Sequence, residues 1–250
     1  MPPPKPPTGP LVDPPPGRHV LVVAYGDVPP RADLDSAWPG WDLDVVTVIA
    51  ADGGLARARA CALQPTLLVG DLDSIDPQLL ADAEAAGLEI RRSPVAKDES
   101  DTELALLEAV RRGATRVTVL GAFGGARLDH ALANLWLLAH PALAGMPVAL
   151  LDARTRASLI SAPGADGRPV TRPLPGPIGA TVSLLPLGGD ATGVTTRGLR
   201  YPLNDEPLVV GPARGLSNTR DASDASVTLR AGRLLVVETA TRATGLSSAS

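Results

Sequence analysis

The sequence predicts an α/β protein: an N-terminal three-layer domain on a mostly parallel sheet, followed by a C-terminal all-β sandwich domain. Two patterns carry this expectation. From His19 to Leu151, short β-branched apolar runs alternate with stretches of helical periodicity, as strands joined by crossover helices do. After Ser161 the helical periodicity stops, and short β-branched runs follow one another between Gly and Pro. The expected boundaries are 18–160 for the first domain and 161–242 for the second. A disordered proline-rich lead-in over 1–17 precedes them and a tail over 243–250 follows.

The first strand is His19-Val20-Leu21-Val22-Val23-Ala24, ending at Gly26. Val45–Ala50 breaks at Asp52-Gly53-Gly54, and Thr66–Val69 breaks at Gly70-Asp71. Val117–Leu120 stops at Gly121, and Val148–Leu151 stops at Asp152. Such continuous apolar runs suit strands buried on both faces of a parallel sheet. Helices are expected over Leu55–Leu63, Pro77–Ala86, Glu103–Arg112 and His130–Ala139. In the third of these, Leu104, Leu107 and Val110 share one side, and Ser100-Asp101-Thr102-Glu103 forms a capping box at its start. In the second domain the runs are Thr181–Leu185, Gly193–Thr196, Pro207–Val210, Ala225–Leu229 and Arg233–Val237.

Composition removes several function classes. Only 2% of the 250 residues are aromatic, so Leu, Val and Ala must build the core. A net charge of -4 gives no reason to bind nucleic acid. The lead-in lacks the apolar stretch of a signal peptide, and no run of about 18 apolar residues suggests a membrane span. The single cysteine, Cys61, leaves no internal disulfide or cysteine-based zinc site, which fits the cytoplasm. No Gly-x-x-x-x-Gly-Lys-Ser/Thr loop occurs.

The acids are unevenly placed. Asp52 follows the second strand, Asp71 and Asp73 the third, Asp98 and Asp101 precede the capped helix, and Asp129 follows the fourth strand. In a parallel sheet the loops after the strands meet at one edge, where ligands bind. Asp71 and Asp73, two apart in an extended segment, are expected on the same side. Paired carboxylates repel unless a cation joins them, and oxygen ligands favour magnesium together with substrate phosphates. Lys97, Arg127 and Arg57 are available to offset phosphate charge. Singly, each aspartate also suits an ordinary turn, and Asp101 a helix terminus.

Four segments occur in order: Ala51-Asp52-Gly53-Gly54, Gly70-Asp71-Leu72-Asp73-Ser74-Ile75, Lys97-Asp98-Glu99-Ser100-Asp101-Thr102 and Arg127-Leu128-Asp129-His130-Ala131-Leu132-Ala133-Asn134. With Gly193–Leu203 and Gly215-Leu216-Ser217-Asn218 further on, the set resembles the thiamine pyrophosphokinase family over residues 19–240. The resemblance implies transfer of the pyrophosphoryl group of ATP to thiamine, with Mg2+, in a homodimer that binds thiamine where subunits meet. It implies Asp71, Asp73 and Asp98 as metal ligands, and Asp101 and Asp129 as further catalytic acids. Asp52, Lys97, Thr102, Arg127 and Asn134 would serve the nucleotide, and Ser217 and Asn218 the thiamine. Two departures stand out: Ala126 is an extra residue between the glycine pair and Arg127, and no aromatic for stacking on thiamine is evident near Asn218. The rival expectations are a pyrophosphokinase for a hydroxymethylpterin and a non-catalytic thiamine or nucleotide sensor.

Overall fold

The computed structural model describes residues 17–240, so all of the expected lead-in but Gly17, and the whole of the expected tail, lie outside the described residues. Among them, six strands form a parallel array: β1 (His19–Val23), β2 (Val45–Ala51), β3 (Leu67–Gly70), β4 (Glu89–Arg92), β5 (Arg116–Leu120) and β6 (Val148–Leu151). Their order is β6-β5-β1-β2-β3-β4. The connecting helices are α1 (Arg31–Ala37), α2 (Gly54–Ala60), α3 (Pro77–Ala85), α4 (Asp101–Arg111) and α5 (Leu128–Leu137).

Alternation along the strands sends successive residues to opposite faces, and both faces are covered. Val20, Val22, Ile49, Val117 and Val119 pack with Ala105, Leu106 and Ala109 of α4. Leu21, Val23 and Leu120 pack on the other side with Leu34, Trp41, Ala58 and Cys61. The buried face of α4 is rotated from the leucine stripe expected from the sequence. Its alanines let the helix axis come close to the sheet, while Leu104 and Val110 pack at the margin. β4 and α1 escape a search for apolar runs. β4 is the polar edge strand Glu89-Ile90-Arg91-Arg92, and α1 buries only Leu34.

The sheet does not stop where the sequence pattern changes. Asp152 Oδ1 accepts from the backbone N–H of Arg154 (2.6 Å) and Thr155 (2.7 Å), a turn that reverses the chain. β7 (Thr155–Ala162) therefore returns antiparallel to β6, with Leu150 opposite Ala157. After β8 (Val170–Pro173) come β9 (Thr181–Pro186), β10 (Ala191–Arg197), β11 (Glu206–Leu208), β12 (Asn218–Thr219), β13 (Ser226–Leu229) and β14 (Gly232–Thr239). The large sheet runs on as β6-β7-β14-β9-β12, ten strands in all. The second sheet, β11-β10-β13-β8, packs across its far half. Ile160, Val182, Leu184, Leu234 and Val236 meet Val194, Val227 and Leu229 in the core between them. No helix among the described residues is long and apolar enough to cross a membrane.

One ion cluster ties the edge of the sheet to α4. Glu108, with a side chain only 6% exposed, accepts from Arg91 (2.8 Å), Arg111 (2.6 Å) and Arg112 (2.6 Å). The Arg111 hydrogen bond outweighs burial and, with the other two guanidinium groups, holds the carboxyl down to about 2. A depressed carboxyl pKa gives stability that is present above the unfolded value, about 4.5, and is lost as pH falls towards 2. Denaturant titrations from pH 7 to 3 should show that loss in the native chain. Glu108→Gln should be less stable at pH 7 by about 1–3 kcal/mol and should show a flatter acid limb.

Candidate active site

β1 lies between β5 and β2, so the chain leaves it in opposite directions on the two sides. The switch point at which loops after parallel strands diverge therefore lies between β5 and β1. At the same edge, one strand further along, the turns after β2 and β3 and the start of α4 bring three acids together. One carboxylate oxygen each from Asp52, Asp71 and Asp101 lies within 4.8 Å of the others.

The local backbone is bent to allow it. Asp52 sits at φ +46° and its N–H donates to Val69 O at 2.8 Å, locking the turn against β3. Gly70 (φ +150°) passes so close that a Cβ would stand 3.0 Å from Asp52 Cβ and 3.2 Å from Asp101 Oδ1. Asp101 begins α4, where Ser100 caps Glu103 N–H at 3.1 Å.

Lys97 stands among these acids. Its Nζ donates to Asp101 Oδ1 (2.6 Å), Ser93 Oγ (2.9 Å) and Asp71 Oδ2 (3.3 Å), with its side chain 11% exposed. Burial opposes the charge on Lys97, but Asp101 and Asp71 outweigh it and raise its pKa. Burial likewise works against the Asp71 carboxylate; the Asp73 N–H and the Lys97 ammonium overcome it and lower the pKa. Asp52 goes the other way. Burial, with Asp101 and Asp71 facing it, pushes its carboxyl above the usual range. Its Oδ1 is buried and has no hydrogen-bond partner among the described residues. A lone buried carboxylate oxygen beside two other acids is an arrangement that a divalent cation satisfies.

The other expected residues are placed differently. The Asp71–Asp73 segment is not extended: Leu72 turns through φ +69°, its side chain buried. Asp73 is thereby exposed; its N–H donates to Asp71 Oδ1 (3.3 Å), and its own Oδ1 accepts from Ser74 Oγ (3.1 Å). Asp98 is exposed on the loop before α4, outside the trio. Thr102 is half-buried in the first turn of α4. Arg127 and Asp129 pair with each other on the exposed start of α5. Asn134 is buried and donates to Ala122 O at 2.9 Å, tying α5 to the turn after β5.

In the sandwich, Ser217 (φ +57°) is exposed and donates its N–H to Ser183 Oγ at 3.0 Å. Asn218 is buried with its amide spent on Tyr201: Oδ1 accepts from Tyr201 N–H (3.0 Å) and Nδ2 donates to Tyr201 O (2.7 Å). The Tyr201 ring is left exposed. Sequence spacing does not disclose this pairing, because it joins residues seventeen apart through the antiparallel return of the chain.

An acidic trio at the carboxyl edge of a parallel sheet, with one ammonium beside it, places the chain among α/β proteins whose edge can take a divalent cation. Comparison with known proteins narrows the class. Residues 43–150 match the family model "Thiamin pyrophosphokinase, catalytic domain", and residues 172–234 match "Thiamin pyrophosphokinase, vitamin B1 binding domain". A curated relative, the thiamine pyrophosphokinase of Bacillus subtilis, is 25% identical over 226 residues, covering 88% of this chain and 98% of its own. Among solved structures, a thiamin pyrophosphokinase family protein from Enterococcus faecalis is 26% identical with a TM-score of 0.72, covering 90% of this chain and all of its own. The yeast enzyme, at 16% identity and a TM-score of 0.69 over 93% of this chain and 88% of its own, shares the fold. The chain belongs to the thiamine pyrophosphokinase family.

With no cation present, the trio works against folding. Asp52→Asn removes a charge that faces two other acids and has no counter-ion among the described residues, and should raise stability by about 1 kcal/mol in chelator. Denaturant unfolding of both proteins in EDTA checks this; an unchanged or lowered midpoint would contradict the electrostatic account.

Proposed function

We propose that the chain transfers the pyrophosphoryl group of ATP to the hydroxyethyl oxygen of thiamine, releasing thiamine diphosphate and AMP. The observation that carries this reading is the Asp52–Asp71–Asp101 trio with its unpartnered Asp52 oxygen, in a chain that matches both the catalytic and the vitamin B1 binding models.

In this reading Asp52, Asp71 and Asp101 would hold Mg2+, and Asp73 and Asp98, on the neighbouring loops, would add negative charge nearby. The bound ion supplies charge neutralisation at the phosphate oxygens. The remaining work is positioning and electrostatics, which dominate such transfers. The hydroxyl oxygen bonds to the β-phosphorus as the bond to the oxygen that departs with AMP breaks. The hydroxyl proton passes to a neighbouring carboxylate or to water. Lys97 already lies among the acids, so its ammonium can exchange one carboxylate for a phosphate oxygen with little movement. Arg127 adds a second cation once it lets go of Asp129, Thr102 lies beside Asp101 on the nucleotide side, and Asn134 acts from behind by holding the turn after β5.

For thiamine, the structure favours a different division of labour from the one expected. Asn218 holds the Tyr201 main chain, and the exposed Tyr201 ring offers the face on which an aromatic cation would stack. Ser217 remains a free polar contact. A homodimer belongs to the same reading, and it is supported by the exposed apolar side chains Leu128, Leu132 and Trp136 on successive turns of α5. The cytoplasm accords with one free, buried cysteine. A hydroxymethylpterin acceptor is disfavoured by the match to the vitamin B1 binding model, and a non-catalytic sensor by the intact trio.

Purified protein with ATP, MgCl2 and thiamine should yield AMP and thiamine diphosphate in equal amounts; no product with any divalent cation would overturn the reading. Asp71→Asn and Asp101→Asn should each lower kcat at least about a hundredfold with folding intact by circular dichroism. Tyr201→Ala should act on thiamine instead, raising its KM about tenfold and sparing the KM for ATP. An equal rise for both substrates would remove Tyr201 from the thiamine site.

A further inference from the structure

Away from the acidic edge, the large sheet is left partly uncovered between its two partner layers. On one side stand α1 and the loop after it; on the other stands the turn between β8 and β9. Between them lies a cavity of about 620 Å³, within the range of small-molecule sites. Its floor is the sheet at His19, Arg116, Thr118, Ala149 and Leu151. The floor runs obliquely, from His19 and Arg116 at the starts of β1 and β5 to Leu151 at the end of β6, and none of the Asp52–Asp71–Asp101 trio lines it.

The walls combine two kinds of surface. Trp38 and Trp41, two of the three tryptophans in the chain, line one side. Both are fixed: Trp38 Nε1 donates to Asp152 O (2.7 Å) and Trp41 Nε1 to Asp35 Oδ1 (2.8 Å). Arg116, Arg156 and Arg220 supply the charge, and no carboxylate is among the described residues of the lining. Behind it, Glu238 alone serves two guanidinium groups, accepting from Arg156 (2.6 and 2.8 Å) and from Arg220. Arg172, close by, binds Ser158 Oγ at 2.8 Å and has no carboxylate partner among the described residues. Arg116, an exposed residue, donates to Leu43 O (2.7 Å), lies 2.9 Å from the His19 ring nitrogen, and has no carboxylate partner among the described residues. Arg156 also lies over the Trp38 ring, 5.0 Å from its centre.

Three guanidinium groups in the lining face one carboxylate behind it, which leaves the cavity net positive, and an anion there would balance that charge. The indole walls add a preference for a flat apolar body. We infer that this cavity is a second binding site, for a small planar aromatic anion. Its carboxylate or phosphate meets Arg116 and Arg156, and its ring lies against Trp38 and Trp41. The site is independent of the crevice that holds the acids, and of the reaction proposed there.

The test uses 2-naphthoate as the probe, followed by calorimetry and by quenching of tryptophan emission in Trp136→Phe, which leaves Trp38 and Trp41 as the only indoles. One-to-one saturable binding is expected. It should weaken at least tenfold in Arg116→Gln, which removes charge, and in Ala149→Leu, which fills the floor, each with an unchanged thermal midpoint. Asp71→Asn should bind the probe as the native chain does. No saturable binding up to millimolar probe would overturn the inference. So would binding undiminished in both cavity variants, or binding lost in Asp71→Asn.

Discussion

The structure turns on a concentration of like charge at one sheet edge. Three carboxylates within 4.8 Å repel one another by about 3 kcal/mol per pair at an effective dielectric of about 20. No local propensity produces such a cluster; the rest of the fold has to impose it. β2 and β3 are pinned to each other by the parallel ladder, which fixes the turns that carry Asp52 and Asp71. α4, seated by its alanines against β1 and β2, delivers Asp101 to the same point. Gly70 makes the approach possible, because any side chain there would meet two of the three acids. Lys97 then recovers part of the repulsion through Asp71 and Asp101, while Asp52 is left with none. That asymmetry distinguishes the cluster from a salt-bridge network in which every acid has a counter-ion.

The second constraint is continuity. Because β7 returns directly beside β6, the sandwich is an extension of the same sheet and not a body on a hinge. The long β7–β14 and β14–β9 ladders carry that rigidity outward to β12 and the Ser217–Asn218 turn. Asn218 converts it into a fixed position for Tyr201 by binding both polar groups of that residue's main chain. Glu238, on β14 and opposite Arg156 on β7, performs the matching task at the seam, where the sheet passes from one partner layer to the other.

Much of this was legible in the sequence, and the misses share physical causes. The five buried parallel strands announce themselves because both of their faces must be apolar. β4 and β7 do not, since an edge strand and a strand at a polar seam carry charge on at least one face: Arg91 and Arg92 in one, Arg156 and Ser158 in the other. Positions after strands single out the acids and bring several of them to one edge, but do not say which of them meet. Chain proximity favoured Asp71 with Asp73, whereas the left-handed turn at Leu72 separates that pair and leaves Asp71 with Asp52 and Asp101. The chemistry of Asn218 suits a ligand-facing amide; only the antiparallel return of the chain shows that its hydrogen bonds are already taken by Tyr201.

The two charged regions of the sheet answer opposite problems with the same means. At the carboxyl edge, acids outnumber the single ammonium; at the seam, guanidinium groups outnumber the single carboxylate. In each case one counter-ion is placed centrally and shared: Lys97 between Asp71 and Asp101, Glu238 between Arg156 and Arg220. Sharing leaves a residual charge of definite sign in a partly desolvated place. A residual charge that folding alone would remove is what both proposals rest on: a cation with its polyphosphate at the edge, and an anion at the seam. The apolar strands between them, packed on both faces, set the distance at which the two can coexist.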